Sequence, residues 1–109
     1  MINSNPVEFA KALADQTRQK IMHLCCCEWV SVSDIVGQLN VTQPTVSYHL
    51  AVLREAGLVS VREEGRQTFY RLNQDWIASC CGQLVVRFAP GTDTAEAVRT
   101  VKLVVRPEP

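Results

Sequence analysis

Five cysteines stand in two tight groups, Cys25-Cys26-Cys27 and Cys80-Cys81, in a chain of 109 residues. Thiols grouped in this way have three chemical uses. As thiolates they hold soft ions in preference to magnesium or calcium. Adjacent or facing, they are oxidised reversibly. Protonated and buried, they act as small hydrophobes. An odd, clustered count argues against a disulfide framework and leaves these three readings open. The chain has no C-x-x-C pair, no Gly-rich nucleotide loop, no recognisable Ser/His/Asp constellation and only two histidines, His23 and His49. A thiol enzyme is therefore the remote alternative.

The composition indicates the scaffold that must position these groups. With 47% hydrophobic and 20% charged residues, the chain has what one compact domain needs to bury a core. Residues 1–89 are expected to form that domain, and 90–109 a tail of uncertain structure. Eleven basic residues balance eleven acidic ones, so nucleic-acid binding would have to come from local patches rather than a global field. The N-terminus has no basic segment leading into an apolar one, and no stretch approaches the roughly 18 apolar residues of a membrane span. A cytoplasmic protein without a membrane partner is expected.

Capping residues and apolar spacing mark the elements. Asn5 and Pro6 open a first helix carrying Val7, Phe9, Ala10 and Leu13. Asp15 caps a second, with Ile21, Leu24 and Cys25 on one stripe. Ser31-x-x-Asp34 starts a third that closes at Asn40, a residue tolerant of the left-handed conformation. Thr42 caps a fourth, with Pro44 in its first turn, Val46, Leu50 and Leu53 buried, and Gly57 at its end. The period then becomes alternating. "LVSVREEGRQTFYRL" reads as a β-hairpin turning at Glu64-Gly65. Asn73 caps a fifth helix over about 74–88, with Ile77, Cys81, Leu84, Val85 and Phe88 on one face. After the Pro90-Gly91 break, a short helix-like start and an alternating run from Val98 to Val105 allow an extra strand or a poorly ordered end. The expected fold is mainly α with a β-hairpin wing, a winged helix-turn-helix in the order α-α-α-α-β-β-α.

That arrangement places the fourth helix in a major groove of double-stranded DNA. Thr42 caps that helix. Beyond it, Gln43, Thr45, Ser47, Tyr48 and His49 are expected on its surface, neutral hydrogen-bonding groups suited to base edges and phosphates. The hairpin adds Arg62, Arg66, Gln67 and Arg71. Trp29 and Trp76 are read as packing between helices, and His23 as a surface residue. The cysteine triplet raises a geometric problem. Consecutive helical residues are turned by about 100°, so three in a row cannot all face one ion from an intact helix. Either the second helix frays near Glu28, or members of the triplet join Cys80 or Cys81 from the fifth.

From about residue 6 to 88, "LADQTRQKIMHL" followed by "SVSDIVGQLNVTQPTVSYHLAVLREAGLVSVREEGRQTFYRL" resembles the ArsR/SmtB family of metal- and metalloid-responsive bacterial repressors. The resemblance implies a homodimer built from the first and fifth helices, bound to a roughly palindromic operator without a cofactor and released by an inducer. It places Thr42, Gln43, Thr45, Ser47, Tyr48 and His49 on the family's DNA-reading helix and Arg66 in its wing. Many arsenic and cadmium sensors of the family carry "ELCVCDL" where this chain has "WVSVSDI", so Ser31 and Ser33 replace both cysteines. The paired Asp/His and His/Glu ligands of zinc-type sites on the fifth helix are missing as well. As(III) and Sb(III) favour three thiolates. A site for one of them, or for another soft metal ion, would use Cys25, Cys26 and Cys27, with Cys80 and Cys81 as alternative or additional donors. The other trigger compatible with the same fold is thiol oxidation or persulfide formation.

Overall fold

The computed structural model describes residues 6–101. The elements follow in the order α1 (Pro6–Leu13), α2 (Gln16–Leu24), β1 (Val30–Ser31), α3 (Val32–Leu39), α4 (Gln43–Glu55), β2 (Val59–Glu64), β3 (Gln67–Leu72), α5 (Gln74–Phe88) and α6 (Asp93–Val101). The expected cap at Asn5 lies outside the described residues. Three of the other expected caps form as anticipated: Asp15 accepts from the Arg18 N–H at 2.9 Å, Ser31 from Asp34 at 3.1 Å and Thr42 from Thr45 at 3.4 Å. Each satisfies a backbone donor that a helix start leaves without an intrahelical partner. Asn40 ends α3 at φ 57°, in the left-handed region.

Two features correct the expected element order. A short strand, β1, pairs antiparallel with β3 through Val30↔Tyr70 and Ser31↔Phe69, making a three-stranded sheet in the order β1-β3-β2. The tail forms a helix, α6, through Val101 rather than a strand beginning at Val98, and the rest of the alternating run lies outside the described residues. Thr92 explains the helix: its hydroxyl accepts from the Ala95 N–H at 3.2 Å, and Asp93 and Glu96 place acidic charge in the first turn. Ala95 is fully buried, and α6 packs on α5.

The hairpin register runs from Val59↔Leu72 to Glu64↔Gln67, so the turn residues are Gly65 and Arg66, one position later than expected. Gly65 adopts φ 61°. Ile21, Cys25, Ile35, Val46, Leu50, Leu53 and Leu58 are the largest fully buried side chains, gathered where α2, α3 and α4 meet. Gly57, at φ 79°, lets the chain leave α4 beneath Trp76, where any Cβ would lie 2.9 Å from the indole nitrogen. The Trp76 N–H donates to the Ala56 carbonyl at 3.1 Å. Asn73 does not cap α5 with its side chain as expected. Its amide instead donates to the Gly57 carbonyl at 2.9 Å and accepts from the Ser60 hydroxyl, fastening the α4–β2 corner to the start of α5.

On α5 the buried residues are Trp76, Ser79, Cys80 and Gly82, with Ile77 and Leu84 packed against the core from the side. The expected stripe through Cys81 and Phe88 is therefore not the core face. Cys81 is exposed, and Phe88 is 72% exposed.

Candidate nucleic-acid interface and thiol pair

The buried stripe of α4, Val46, Leu50 and Leu53, anchors the helix and turns its other side outward. Thr42, Gln43, Thr45, Ser47 and Tyr48 are all exposed, Tyr48 at 62%. The Thr42 and Thr45 hydroxyls lie 2.9 Å apart. This surface carries donors and acceptors with no charge of its own, which suits contact with base edges and phosphate oxygens.

His49 departs from the expected set. It is 8% exposed and faces inward, because with Val46, Leu50 and Leu53 it completes the i, i+3, i+4, i+7 spacing of a buried helix face. Its Nδ1 lies 3.0 Å from Arg18 Nη1, and its Nε2 lies 3.9 Å from Asp15 Oδ1. A guanidinium can only donate, so Nδ1 accepts, and Nε2 is the ring nitrogen left to carry a hydrogen on the Asp15 side. Arg18 also donates to the Ala12 carbonyl at 2.7 Å and the Lys11 carbonyl at 3.0 Å. α4 is thus braced against the α1–α2 corner by three side chains, His49, Arg18 and Asp15. The capping bond from the Arg18 N–H, helped by the Arg18 charge, outweighs the opposing effect of desolvation and holds the Asp15 carboxyl below its ordinary range.

The hairpin exposes Arg62, Arg66, Gln67 and Arg71. The Arg62 guanidinium lies 4.8 Å from the centre of the Trp29 ring and 5.8 Å from that of Phe69, and Arg71 lies 4.9 Å from Trp29. Arg62 also pairs with Glu64 at 3.4 Å. Trp29 is therefore a partner of the hairpin cations rather than packing between helices. The signal in sequence was its place one residue before β1, but that strand shows no pattern of its own.

The cysteines separate into different environments. α2 ends at Leu24, so only Cys25 retains a helical cap position and Cys26 and Cys27 lie in the following loop. Cys25 is completely buried in the core, and burial pushes its thiol up to about 11. Cys80 is buried and is likewise pushed up to about 11, by burial first and the neighbouring Cys81 second. Cys81 is exposed, and Cys26 and Cys27 are joined to each other as a disulfide. Among the described residues no group of three His, Cys, Asp or Glu side chains is arranged to hold a metal ion. A pyramidal three-thiolate centre is accordingly not assembled by Cys25, Cys26 and Cys27 as they stand, because Cys25 is packed in the core. Cys81 and Arg87 do carry the C-x₅-R spacing of a phosphate-binding loop. The residues between them are turns of α5, whose N–H groups serve the helix, so no phosphate cradle forms.

Residues 15–61 match the model of a family described as bacterial regulatory proteins of the arsR family. Over 75 residues the chain is 39% identical to the arsenical resistance operon repressor of Escherichia coli, a match covering 62% of this chain and 59% of that protein. It is 35% identical over 63 residues to the transcriptional repressor SdpR of Bacillus subtilis, covering 58% of this chain and 70% of that one. The solved structure of HlyU from Vibrio cholerae superposes with a TM-score of 0.62 at 33% identity, covering 74% of this chain and 87% of that one. Among the described residues no helix is long and apolar enough to cross a membrane.

Proposed function

The chain belongs to the ArsR family of bacterial regulators with a winged-helix fold, and from that premise we propose that it is a transcriptional repressor whose hold on DNA is set by the thiols Cys26 and Cys27. As a homodimer it grips a roughly palindromic operator. Thr42, Gln43, Thr45, Ser47 and Tyr48 of α4 lie in the major groove, and Arg62, Arg66, Gln67 and Arg71 of the hairpin reach the flanking backbone. His49 acts from behind, fixing α4 against Arg18. DNA binding needs no cofactor, and the chemistry is binding rather than catalysis.

One observation carries the thiol reading: Cys26 and Cys27 are bonded to each other in a loop beyond α2, while Cys25 and Cys80 are sealed in the core. Disulfides of cytosolic proteins are mostly transient and sensing or catalytic. In the reducing cytoplasm the pair rests as a dithiol and the protein holds its operator. A peroxide closes it: two thiols and one H₂O₂ give the disulfide and two waters, the sulfurs being oxidised and the peroxide oxygens reduced. A thiol reductant reverses the change.

A second reading is favoured by the 39% identity to an arsenical resistance operon repressor. The same dithiol, when reduced, would condense with As(OH)₃ to a dithioarsenite carrying one hydroxide, with loss of two waters. Sb(III) would react in the same way, and Cys81 is the exposed thiol available as a further donor.

The experiment is operator release followed by fluorescence anisotropy, on a duplex selected from a random-sequence pool by the reduced protein. Coupling of about 1–3 kcal/mol gives a 5- to 150-fold change in affinity. Peroxide should weaken binding by at least tenfold, dithiothreitol should restore it, and Cys26→Ser/Cys27→Ser should bind but ignore peroxide. Release by arsenite but not by peroxide would select the metalloid reading. No release by either, or undiminished release from the double mutant, would refute the thiol assignment.

A further inference from the structure

The hairpin register fixes which side chains share a face. Paired residues of neighbouring strands point the same way, so Ser60 and Arg71 stand together, as do Arg62 and Phe69. Val59, Val61, Tyr70 and Leu72 take the other face, toward the core, where Val59, Tyr70 and Leu72 join or pack against the buried cluster. Arg62, Phe69 and Arg71 therefore line the outer face of the sheet. Continuing the β1–β3 register back one residue from Val30↔Tyr70 brings Trp29 opposite Arg71 on this outer face. Its ring lies 4.8 Å from the Arg62 guanidinium carbon and 4.9 Å from that of Arg71. Two cations share one indole, which lies within the range at which a ring quadrupole attracts them.

The loop that carries Trp29 begins at the thiol pair, with Glu28 alone between Cys27 and Trp29. Its upstream end is pinned. The Leu72 N–H donates to the Cys25 carbonyl at 2.9 Å. The Gln74 side-chain amide donates to the Cys26 carbonyl at 2.7 Å and approaches Cys27 Sγ at 3.9 Å. Bonding two adjacent sulfurs closes a small ring that includes the peptide between them and restricts its torsions. With the upstream side fastened to the β3–α5 junction, a change of those torsions is directed downstream into Glu28 and Trp29.

We propose that Trp29 is the positioning residue through which the Cys26–Cys27 pair acts on DNA binding, its indole setting where the Arg62 and Arg71 guanidinium groups stand on the outer face of the hairpin. This rests on the thiol-controlled repressor reading above. Reduction or closure of the pair shifts the indole, the two cations follow it, and the backbone contacts they make to the operator strengthen or weaken. Both states of the loop are defined by covalent chemistry, which supplies the two-state element that coupling between distant groups requires.

The test compares wild type, Trp29→Leu and Trp29→Phe on the selected operator duplex, each reduced and peroxide-treated, with disulfide formation followed by mass spectrometry. Trp29→Leu should still oxidise, but its ratio of oxidised to reduced Kd should fall from tenfold or more to below threefold. Its reduced form should also show a shallower salt dependence, by about one counterion or more, as the two arginines lose their fixed placement. Trp29→Phe keeps a ring face and should recover most of the ratio. A Trp29→Leu ratio equal to wild type, alongside a Cys26→Ser/Cys27→Ser variant that has lost it, would overturn this inference and leave the thiol reading intact. A wild type indifferent to oxidation would overturn both. Should Trp29→Leu fail to fold, Trp76→Phe leaves Trp29 as the single tryptophan of the chain. Its emission must then shift when the pair is reduced, and an unchanged spectrum would overturn the route through the indole.

Discussion

Replacing His49 separates a brace from a base reader. In His49→Phe the ring volume stays but the Nδ1 acceptor disappears, and the Arg18 Nη1 bond of 3.0 Å is lost. A hydrogen bond to a charged partner contributes about 1.5–3 kcal/mol, and the released guanidinium recovers part of this from water because Arg18 is only half-buried. The net expected loss is about 1–2 kcal/mol. For a domain of this size that lowers the melting temperature by roughly 4–12 °C, compared at one protein concentration so that any self-association is held constant. Operator affinity, measured by anisotropy well below the melting transition, should fall by less than about fivefold, an amount set by a looser α4. Ser47→Glu should behave in the opposite way. Ser47 is exposed, so the melt should move little, while a carboxylate facing phosphate should abolish binding. A His49→Phe protein that melts with wild type yet loses operator selectivity would refute this reasoning and return the histidine to the DNA-reading surface.

Arg66→Ala, at the hairpin turn, should weaken binding on all sequences. It should also flatten the slope of log K against log salt by about 0.9 for each phosphate no longer neutralised, so about 1.8 for a dimer; an effect confined to one sequence would mean that Arg66 reads bases. Alkylation by iodoacetamide at pH 8 after reduction, mapped by peptide mass, should label Cys27 and Cys81 first. Cys25 and Cys80, each pushed up to about 11, hold only about one thiolate in a thousand at that pH and should react only on unfolding. Phe88→Glu should convert dimers to monomers in sedimentation, since Phe88 is 72% exposed on the single chain and burying such a ring in each half of an interface contributes about 1.5–3 kcal/mol; an unchanged sedimentation coefficient would place the interface elsewhere. Asp15→Asn keeps a capping oxygen but loses the charge. Because the folded carboxyl titrates below its ordinary value of 3.8, its stabilisation is fully present above that value and is lost as pH falls through the lower folded value. The gap in melting temperature between wild type and Asp15→Asn should be open at pH 5–7 and narrow progressively as pH falls below 3.8.

The elements that could be read from sequence were those whose ends are fixed by one side chain acting on its own backbone. Asp15, Ser31 and Thr42 cap as their types require, Asn40 turns left-handed, and Gly65 supplies the positive φ of the hairpin. These are local choices, decided within three or four residues. What escaped depends on partners distant in the chain. β1 is two residues long and exists only because β3 lies beside it. Asn73 has the type and place of a helix cap, but its amide is taken by the Gly57 carbonyl, sixteen residues away. On α5 the apolar stripe that continues to Phe88 mixes core and exposed positions, so spacing alone does not identify its buried face. Cys80 proved to be the inward thiol and Cys81 the outward one. For His49 the signal was present, since the spacing with Val46, Leu50 and Leu53 is that of a buried face. Its polar type hid that periodicity.

The same distinction explains why the three neighbouring thiols cannot share one role. A group buried in the core changes state only by disturbing what packs on it, and Cys25, at 0% exposure among Ile21, Leu50 and Leu53, would put the stability of the whole domain at risk with each modification. Cys26 and Cys27 escape this constraint because α2 stops at Leu24, before they are reached. On the reading proposed above, chemistry at the pair rearranges a loop instead of a core, and the folded state is expected to survive both forms, leaving their difference to act on DNA affinity. The loop is short and is tied at both ends to parts of the hairpin, by the Leu72 N–H to Cys25 and by Trp29 to Arg62 and Arg71. On the same reading, a change that costs the core little is thereby delivered to Arg62 and Arg71, the exposed cations of the hairpin.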